Sequence, residues 1–212
     1  LAVFDMDGTI LDTLEDLKDS TNFALEKCGY PTRSYDEVRR FVGNGIRKLI
    51  ERAVPEGLTV EQIDRVHEVF TEHYKVHCAD TTKAYDGIKP LLEKLRASGV
   101  KTAVVSNKAD YGVQELCKEY FDGLFDYAVG EREGIRRKPA PDAVNEALRV
   151  LGIDKSEAVY IGDSDVDFET AKNAELPCIS VLWGFRDEEF LREKGATLFV
   201  HDPAEIYDII MT

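Results

Sequence analysis

LAVFDMDGT, residues 1–9, is an apolar run that ends in carboxylates and a glycine. Its four leading apolar residues suit a strand buried on both faces, with a polar tip at the carboxyl end. The same pattern returns in TAVVSN (102–107), YAVG (127–130), AVYIGD (158–163), CISVLW (178–183) and the short LFV (198–200). Between these runs lie IKPLLEKLRASG, VQELCKEYF, DAVNEALRVLG and DFETAKNAE, whose apolar residues recur at three and four positions, with Gly99 and Gly152 placed to stop helices. Strand and helix therefore alternate with short connections. That alternation predicts an α/β fold, a parallel sheet covered by helices on both faces, whose ligands bind beyond the carboxyl ends of the strands.

Residues 14–83 break the rhythm. They carry helical patterns only: stripes at Leu14, Leu17, Leu25 and Cys28, at Ile46, Leu49, Ile50 and Ala53, and at Ile63, Val66, Val69 and Phe70. Ser34 with Glu37 and Thr59 with Gln62 fit the capping box that opens a helix. The expectation is a small all-helical domain at 14–83, inserted after the first strand into a core made of 1–13 and 84–212. Gly43-Asn44-Gly45 interrupts the insert with a turn.

The chain has 212 residues, enough for one substantial core and one small accessory domain. With 41 acidic against 27 basic side chains its net charge is −14, which repels a polyanion such as nucleic acid. The same charge disfavours an anionic substrate unless a local cation, a metal or oriented N–H groups receive it. No run approaches the roughly 20 apolar residues that span a bilayer, so no membrane partner and a cytoplasmic location are expected. Leu1 is not an initiator methionine, and a few residues are expected to precede it. Cys28, Cys78, Cys117 and Cys178 lack the short paired spacing of zinc sites and read as reduced thiols. His73 and His77 have the i, i+4 spacing that can chelate a metal, but no acidic base stands between them, and they read as ordinary helix surface. Oligomeric state is not legible.

Three polar groups fall at strand ends: Asp5 with Asp7, Ser106 with Asn107, and Asp163. Lys138, just before a Pro-Ala-Pro helix start, completes a set suited to phosphoryl transfer. Asp5 and Asp163 can supply carboxylates to a magnesium ion, which offsets their charge and admits a phosphate dianion. Asp5 is then the candidate nucleophile. Asp7 is the candidate acid and base, provided that crowding by other carboxylates lets it hold a proton at first. Ser106, the Asn107 N–H and Lys138 are candidates to bind the phosphoryl oxygens.

In the same order, DMDGT (5–9), SN (106–107), Lys138 within RRKPAPD (136–142) and GDSDVD (162–167) resemble the four motifs of the haloacid dehalogenase-like hydrolase superfamily. The resemblance covers essentially the whole chain and implies a Rossmann-like doubly wound core with a helical cap after strand 1. It implies that Asp5 is the nucleophile and Asp7 the acid/base, whose main-chain carbonyl also meets the metal. It further implies that Asp163 is a metal ligand and that Asp167 supports the metal through water or a lysine. Within the superfamily the chain is most similar to phosphoglycolate phosphatases, through DMDGTILDT, FVGNGIRKLI and RKPAPD. The expected activity is hydrolysis of a small phosphorylated metabolite. In the cap, Gly43, Asn44 and Arg47 are candidate substrate-binding residues: the glycines of the Gly43-Asn44-Gly45 turn would let backbone approach the substrate, and Arg47 would pair with a substrate carboxylate.

Other readings share these residues. A phosphosugar mutase of the beta-phosphoglucomutase type has every core motif and returns the phosphoryl group to the sugar, and an inorganic pyrophosphatase with this fold is a further alternative. A non-catalytic phospho-receiver also clusters aspartates and a lysine on such a sheet, but usually places its aspartate after a later strand.

Overall fold

A computed structural model describes all residues, Leu1–Thr212. They divide into two compact units, Leu1–Leu11 with Ala84–Thr212, and Asp12–Lys83. In chain order the elements are β1 (Ala2–Phe4), β2 (Leu11–Asp12), α1 (Leu14–Lys27), α2 (Tyr35–Phe41), α3 (Gly45–Ala53) and α4 (Val60–His77). There follow β3 (Lys83–Ala84), α5 (Ile88–Ala97), β4 (Thr102–Ala109), α6 (Asp110–Phe121), β5 (Tyr127–Glu131) and α7 (Asp142–Leu151). The chain ends with β6 (Val159–Gly162), α8 (Asp165–Ala174), β7 (Cys178–Val181), α9 (Glu188–Glu193), β8 (Phe199–Val200) and α10 (Pro203–Met211).

The first unit holds a six-stranded sheet in the order β5-β4-β1-β6-β7-β8, and every neighbouring pair is parallel. These strands are the six apolar runs of the sequence. Alternate side chains feed two layers, as the pleat requires. Val3, Ala103, Val105, Val129 and Tyr160 pack against Val144 and Ala147 of α7 and Ala171 and Ala174 of α8. In another part of this unit Phe4 meets Phe125 edge-on, and Phe125 in turn meets Phe121 at the end of α6. From β1 the chain builds outward to β4 and β5, then returns to lay β6, β7 and β8 on the other side. The order thus reverses between β1 and β6, and the crevice beyond their carboxyl ends is where such sheets bind ligands. Asp5 and Asp163 directly follow those two strands.

The second unit contains α1 to α4. Both capping boxes form: Ser34 accepts from the Glu37 N–H and Thr59 from the Gln62 N–H, with the partner side chains returning the bond. Leu14, Leu17 and Leu25 of α1, Leu49, Ile50 and Ala53 of α3, and Val66, Phe70 and Tyr74 of α4 are buried. Ile63 and Val69 lie at the margin of that line, half-buried. Asp16, 2% exposed, accepts from the backbone N–H and hydroxyl of both Thr81 and Thr82, tying the first turn of α1 to the segment after α4. The two-residue strands β2 and β3 pair with each other; they are too short to leave a periodicity in the sequence. His73 and His77 stack on one another, their Nδ1 atoms engaged by Ser20 and Asp80. No helix is long and apolar enough to cross a membrane, and the four cysteines are free.

Candidate active site

Four segments of the first unit converge beyond β1 and β6. Asp5 leaves β1 with its Oδ1 accepting the Met6 N–H at 2.7 Å. Lys138 Nζ lies 2.8 Å from the same oxygen and 2.7 Å from Asp167 Oδ1. The Tyr160 hydroxyl stands 3.1 Å from both Lys138 Nζ and Asp167 Oδ1. Asp167 Oδ2 accepts from the N–H and hydroxyl of Ser164, closing a capping box at the start of α8. One buried ammonium is therefore held by two carboxylates and a phenol.

Lys138 has no regular element of its own to fix it. Instead the Asn107 side chain brackets its backbone: Oδ1 accepts the Lys138 N–H at 2.8 Å and Nδ2 donates to the Lys138 carbonyl at 3.2 Å. The end of β4 thus pins the segment that carries the lysine. Ser106, 6% exposed, accepts the Lys108 N–H at 3.1 Å and keeps its own hydroxyl hydrogen for another acceptor.

Asp163 sits in a cradle of backbone. Thr9 Oγ1 donates to its Oδ1 and the Phe185 N–H to its Oδ2, at 3.2 and 2.7 Å. A Cβ on Gly184 would lie 2.3 Å from Asp163 Cβ, and one on Gly8 would lie 2.4 Å from Asp163 Oδ2, so only glycine lets these loops approach. Trp183 Nε1 donates to the Thr9 carbonyl at 3.0 Å, joining the same two loops.

Ligand oxygens of Asp5, Asp163 and Asp167 all lie within 4.8 Å of one another. Such a buried, oxygen-only set fits a hard divalent cation such as magnesium. Each Asp167 oxygen already accepts two hydrogen bonds, each Asp163 oxygen accepts one and Asp5 Oδ2 none, so Asp5 and Asp163 keep the lone pairs that could hold a cation directly. The electrostatics of the cluster suit a cation. Burial, then repulsion from Asp167, pushes the Asp163 carboxyl up to about 7. Burial and Asp167 also raise Asp5 well above the carboxylate range, against the pull of Lys138. Burial disfavours the Lys138 ammonium, but Asp167 and Asp5 outweigh it and hold the ammonium charged. Tyr160 is kept protonated by burial and by Asp167.

The structure thus brings Asp5, Lys138, Asp163 and Asp167 together. Asp7 stands two residues beyond Asp5, and its Oδ1 accepts from Lys108 Nζ at 3.0 Å; an ammonium, where crowding by carboxylates was expected, faces it. Gly43, Asn44 and Arg47 belong to the second unit. There Asn44 Oδ1 accepts from Arg52 at 2.7 Å, and the Arg47 guanidinium pairs with Glu51 at 2.9 Å and also with Asp64. Sequence reasoning missed Lys108, Tyr160 and Thr9. The signal for Tyr160 was present: a hydroxyl inside an otherwise apolar strand must find a polar partner.

The doubly wound α/β core carries an aspartate after β1, a buried lysine and three clustered carboxylates that could hold a cation. The chain belongs to the haloacid dehalogenase-like hydrolase family, whose model matches residues 2–181. It is 34% identical to a phosphoglycolate phosphatase of Aquifex aeolicus over 86% of this chain and 84% of that one. A phosphoglycolate phosphatase of Psychrobacter arcticus is 32% identical over 100% of this chain and 95% of the other. Among solved structures, a provisionally named phosphoglycolate phosphatase from Lactobacillus delbrueckii superposes with a TM-score of 0.95 at 41% identity, covering 99% and 97% of the two chains.

Proposed function

We propose that this protein is a cytoplasmic, magnesium-dependent phosphatase that hydrolyses a small phosphorylated metabolite of the phosphoglycolate type through a phosphoryl group carried on Asp5. The observation that carries the reading is Lys138, a buried ammonium 2.8 Å from Asp5 and 2.7 Å from Asp167. A carboxylate so held is positioned to attack phosphorus, and the same ammonium neutralises the phosphoryl oxygens as they arrive. The names of the relatives support the substrate class, and the four free thiols agree with a reducing compartment.

In the first step one oxygen of the Asp5 carboxylate bonds to phosphorus, the ester P–O bond breaks, and Asp7 gives its proton to the leaving oxygen. In the second, Asp7 takes a proton from water as that water attacks phosphorus, and the acyl phosphate bond breaks to return Asp5 and release phosphate. Ser106 and the Asn107 N–H donate to the phosphoryl oxygens in both steps. Magnesium held by Asp5 and Asp163, with the Asp7 carbonyl and support from Asp167, would offset the carboxylate charge and polarise the phosphoryl group.

The test is single-turnover labelling with a phosphate-labelled substrate, with and without magnesium. Acid-stable label on the wild type that disappears on a chase, and no label on a folded Asp5→Asn variant, is the expected result. An Asp5→Asn variant that keeps more than a few per cent of the wild-type rate would remove Asp5 as nucleophile. Label that passes to a sugar hydroxyl instead of water would favour the mutase.

A further inference from the structure

Lys108 is absent from the proposed chemistry, yet the fold builds a place for it. Its Nζ lies 3.0 Å from Asp7 Oδ1, and the two side chains are only 6% and 16% exposed. An ammonium withdrawn from water is unfavourable unless it is paired, so this burial depends on the carboxylate it meets. The backbone around it is equally particular. Lys108 lies where the β4–β5 register shifts between Val105 and Ala109. A Cβ on the facing Gly130 would lie 2.5 Å from the Lys108 carbonyl and 2.7 Å from Asp110 Cα. Asp110 Oδ1 accepts the Gly130 N–H at 2.8 Å, which locks this approach, and Ser106 Oγ accepts the Lys108 N–H at 3.1 Å. The segment that presents Ser106 therefore also presents the lysine.

Resting on the phosphatase reading, we propose that Lys108 is a positioning residue that holds the Asp7 carboxyl in one place for both of its proton transfers. Asp7 must reach the leaving oxygen in the first step and the attacking water in the second; Oδ1 accepts from Lys108 whether the carboxyl is neutral or ionised, which leaves Oδ2 to carry the proton, and misplacement by an ångström is expensive in rate. Lys108 acts through Asp7, so its removal is felt only where Asp7 is needed. Expulsion of an alkoxide needs a proton; expulsion of p-nitrophenolate, a weak base, does not. The parameter kcat/KM covers the steps up to transfer of the phosphoryl group to Asp5, and it isolates that difference.

The experiment compares the wild type, Lys108→Met, Lys108→Arg, Asp7→Asn and the Lys108→Met/Asp7→Asn double variant on an alkyl phosphate (phosphoglycolate or glycerol phosphate) and on p-nitrophenyl phosphate. Lys108→Met is expected to lower kcat/KM about 100-fold on the alkyl ester, the scale of general acid catalysis, and less than about 5-fold on the aryl ester. Lys108→Arg recovers part of the loss. In the Asp7→Asn background the same substitution adds less than about 3-fold, because the two residues act as a unit. Equal losses on both esters, or losses that multiply in the double variant, overturn the proposal in favour of direct contact with substrate. If Lys108→Met does not fold, Lys108→Gln carries the same comparison, and failure of both variants to fold makes the lysine structural and ends the proposal. A wild type inert toward both esters overturns the phosphatase reading itself; an active wild type with indifferent Lys108 variants overturns only the role of Lys108.

Discussion

Asp167 Oδ1 lies 2.7 Å from Lys138 Nζ, and the two side chains are 1% and 3% exposed. The pair is out of water, so each charge depends on the other and on the third member, Asp5, 2.8 Å from the same nitrogen. Asp167 opens α8, where its Oδ2 accepts from Ser164, and its carboxylate is spent on aiming the lysine. Lys138 in turn receives its place from Asn107. Residues from the end of β1, the end of β4 and the first turn of α8 thus determine where one ammonium points.

Tyr160→Phe tests that arrangement with the least disturbance. The hydroxyl touches Lys138 and Asp167, both at 3.1 Å, and phenylalanine keeps the ring in the α7–α8 layer. The expected cost is about 1–2 kcal/mol of stability, the scale of a buried hydrogen bond removed from one side. With Lys138 less well aimed, kcat falls about 10-fold while KM changes little. Unchanged kcat in a variant of reduced thermal stability would make Tyr160 a packing residue.

The carboxylate cluster predicts a pH dependence of stability. Asp163, raised from 3.8 to about 7 by burial and Asp167, keeps a proton that the unfolded chain has already lost over that interval. The folded state then binds more protons than the unfolded one, so stability falls as pH rises from about 4 to about 7 and levels off above it. Asp5 shifts in the same direction. Thermal unfolding in EDTA is expected to show a lower Tm at pH 8 than at pH 5.5, and magnesium to raise Tm more at pH 8, since it binds the ionised form. Asp163→Asn should flatten the slope. A Tm that rises with pH in EDTA would contradict the burial of these carboxylates.

The strands and Asp5 were legible because both are local. An apolar run ending in a carboxylate needs only a few adjacent residues, and the topology follows from alternation. Lys108 and Tyr160 were not read because their partners are distant: Asp7 is 101 residues from Lys108, and Lys138 is 22 from Tyr160. Strands β2 and β3 left no pattern in two residues each. The Asp163 cradle was hidden for a different reason, because Gly184 and the Phe185 N–H act through backbone, which residue types do not report.

Gly184→Ala measures what that cradle contributes. Its added Cβ would fall 2.5 Å from Asp163 Oδ2 and from the Gly8 carbonyl as well as on Asp163 Cβ. One of the two loops must retreat, carrying Asp163 off its place. Magnesium affinity should weaken at least about 10-fold, the size seen when groups that orient a metal ligand are disturbed. Isothermal titration of magnesium into the folded variant reads this directly. An unchanged affinity would show that Asp163 is oriented without Gly184.

Arg47 carries the last prediction, because its sequence context and its contacts point in opposite directions. The Gly43-Asn44-Gly45 turn suggested a guanidinium ready to pair with a substrate carboxylate. In the structure that guanidinium already pairs with Glu51 one turn along α3 and with Asp64 of α4, which raises its affinity for the proton further. A substrate would have to displace two carboxylates to recruit it. Those partly exposed pairs are worth little to stability, about 0–1 kcal/mol, so Arg47→Ala should fold normally. The expected result is a loss of less than about 3-fold in kcat/KM, equal for a carboxylated ester and for p-nitrophenyl phosphate, which has no carboxylate. A selective loss of about 30-fold or more on the carboxylated ester would mean that the ion pairs open on binding and that Arg47 reads the substrate. Glu51→Gln with Asp64→Asn separates the cases from the other side. Freeing the guanidinium should strengthen binding of the carboxylated ester if Arg47 is recruited, and should change nothing if it serves only to join α3 to α4.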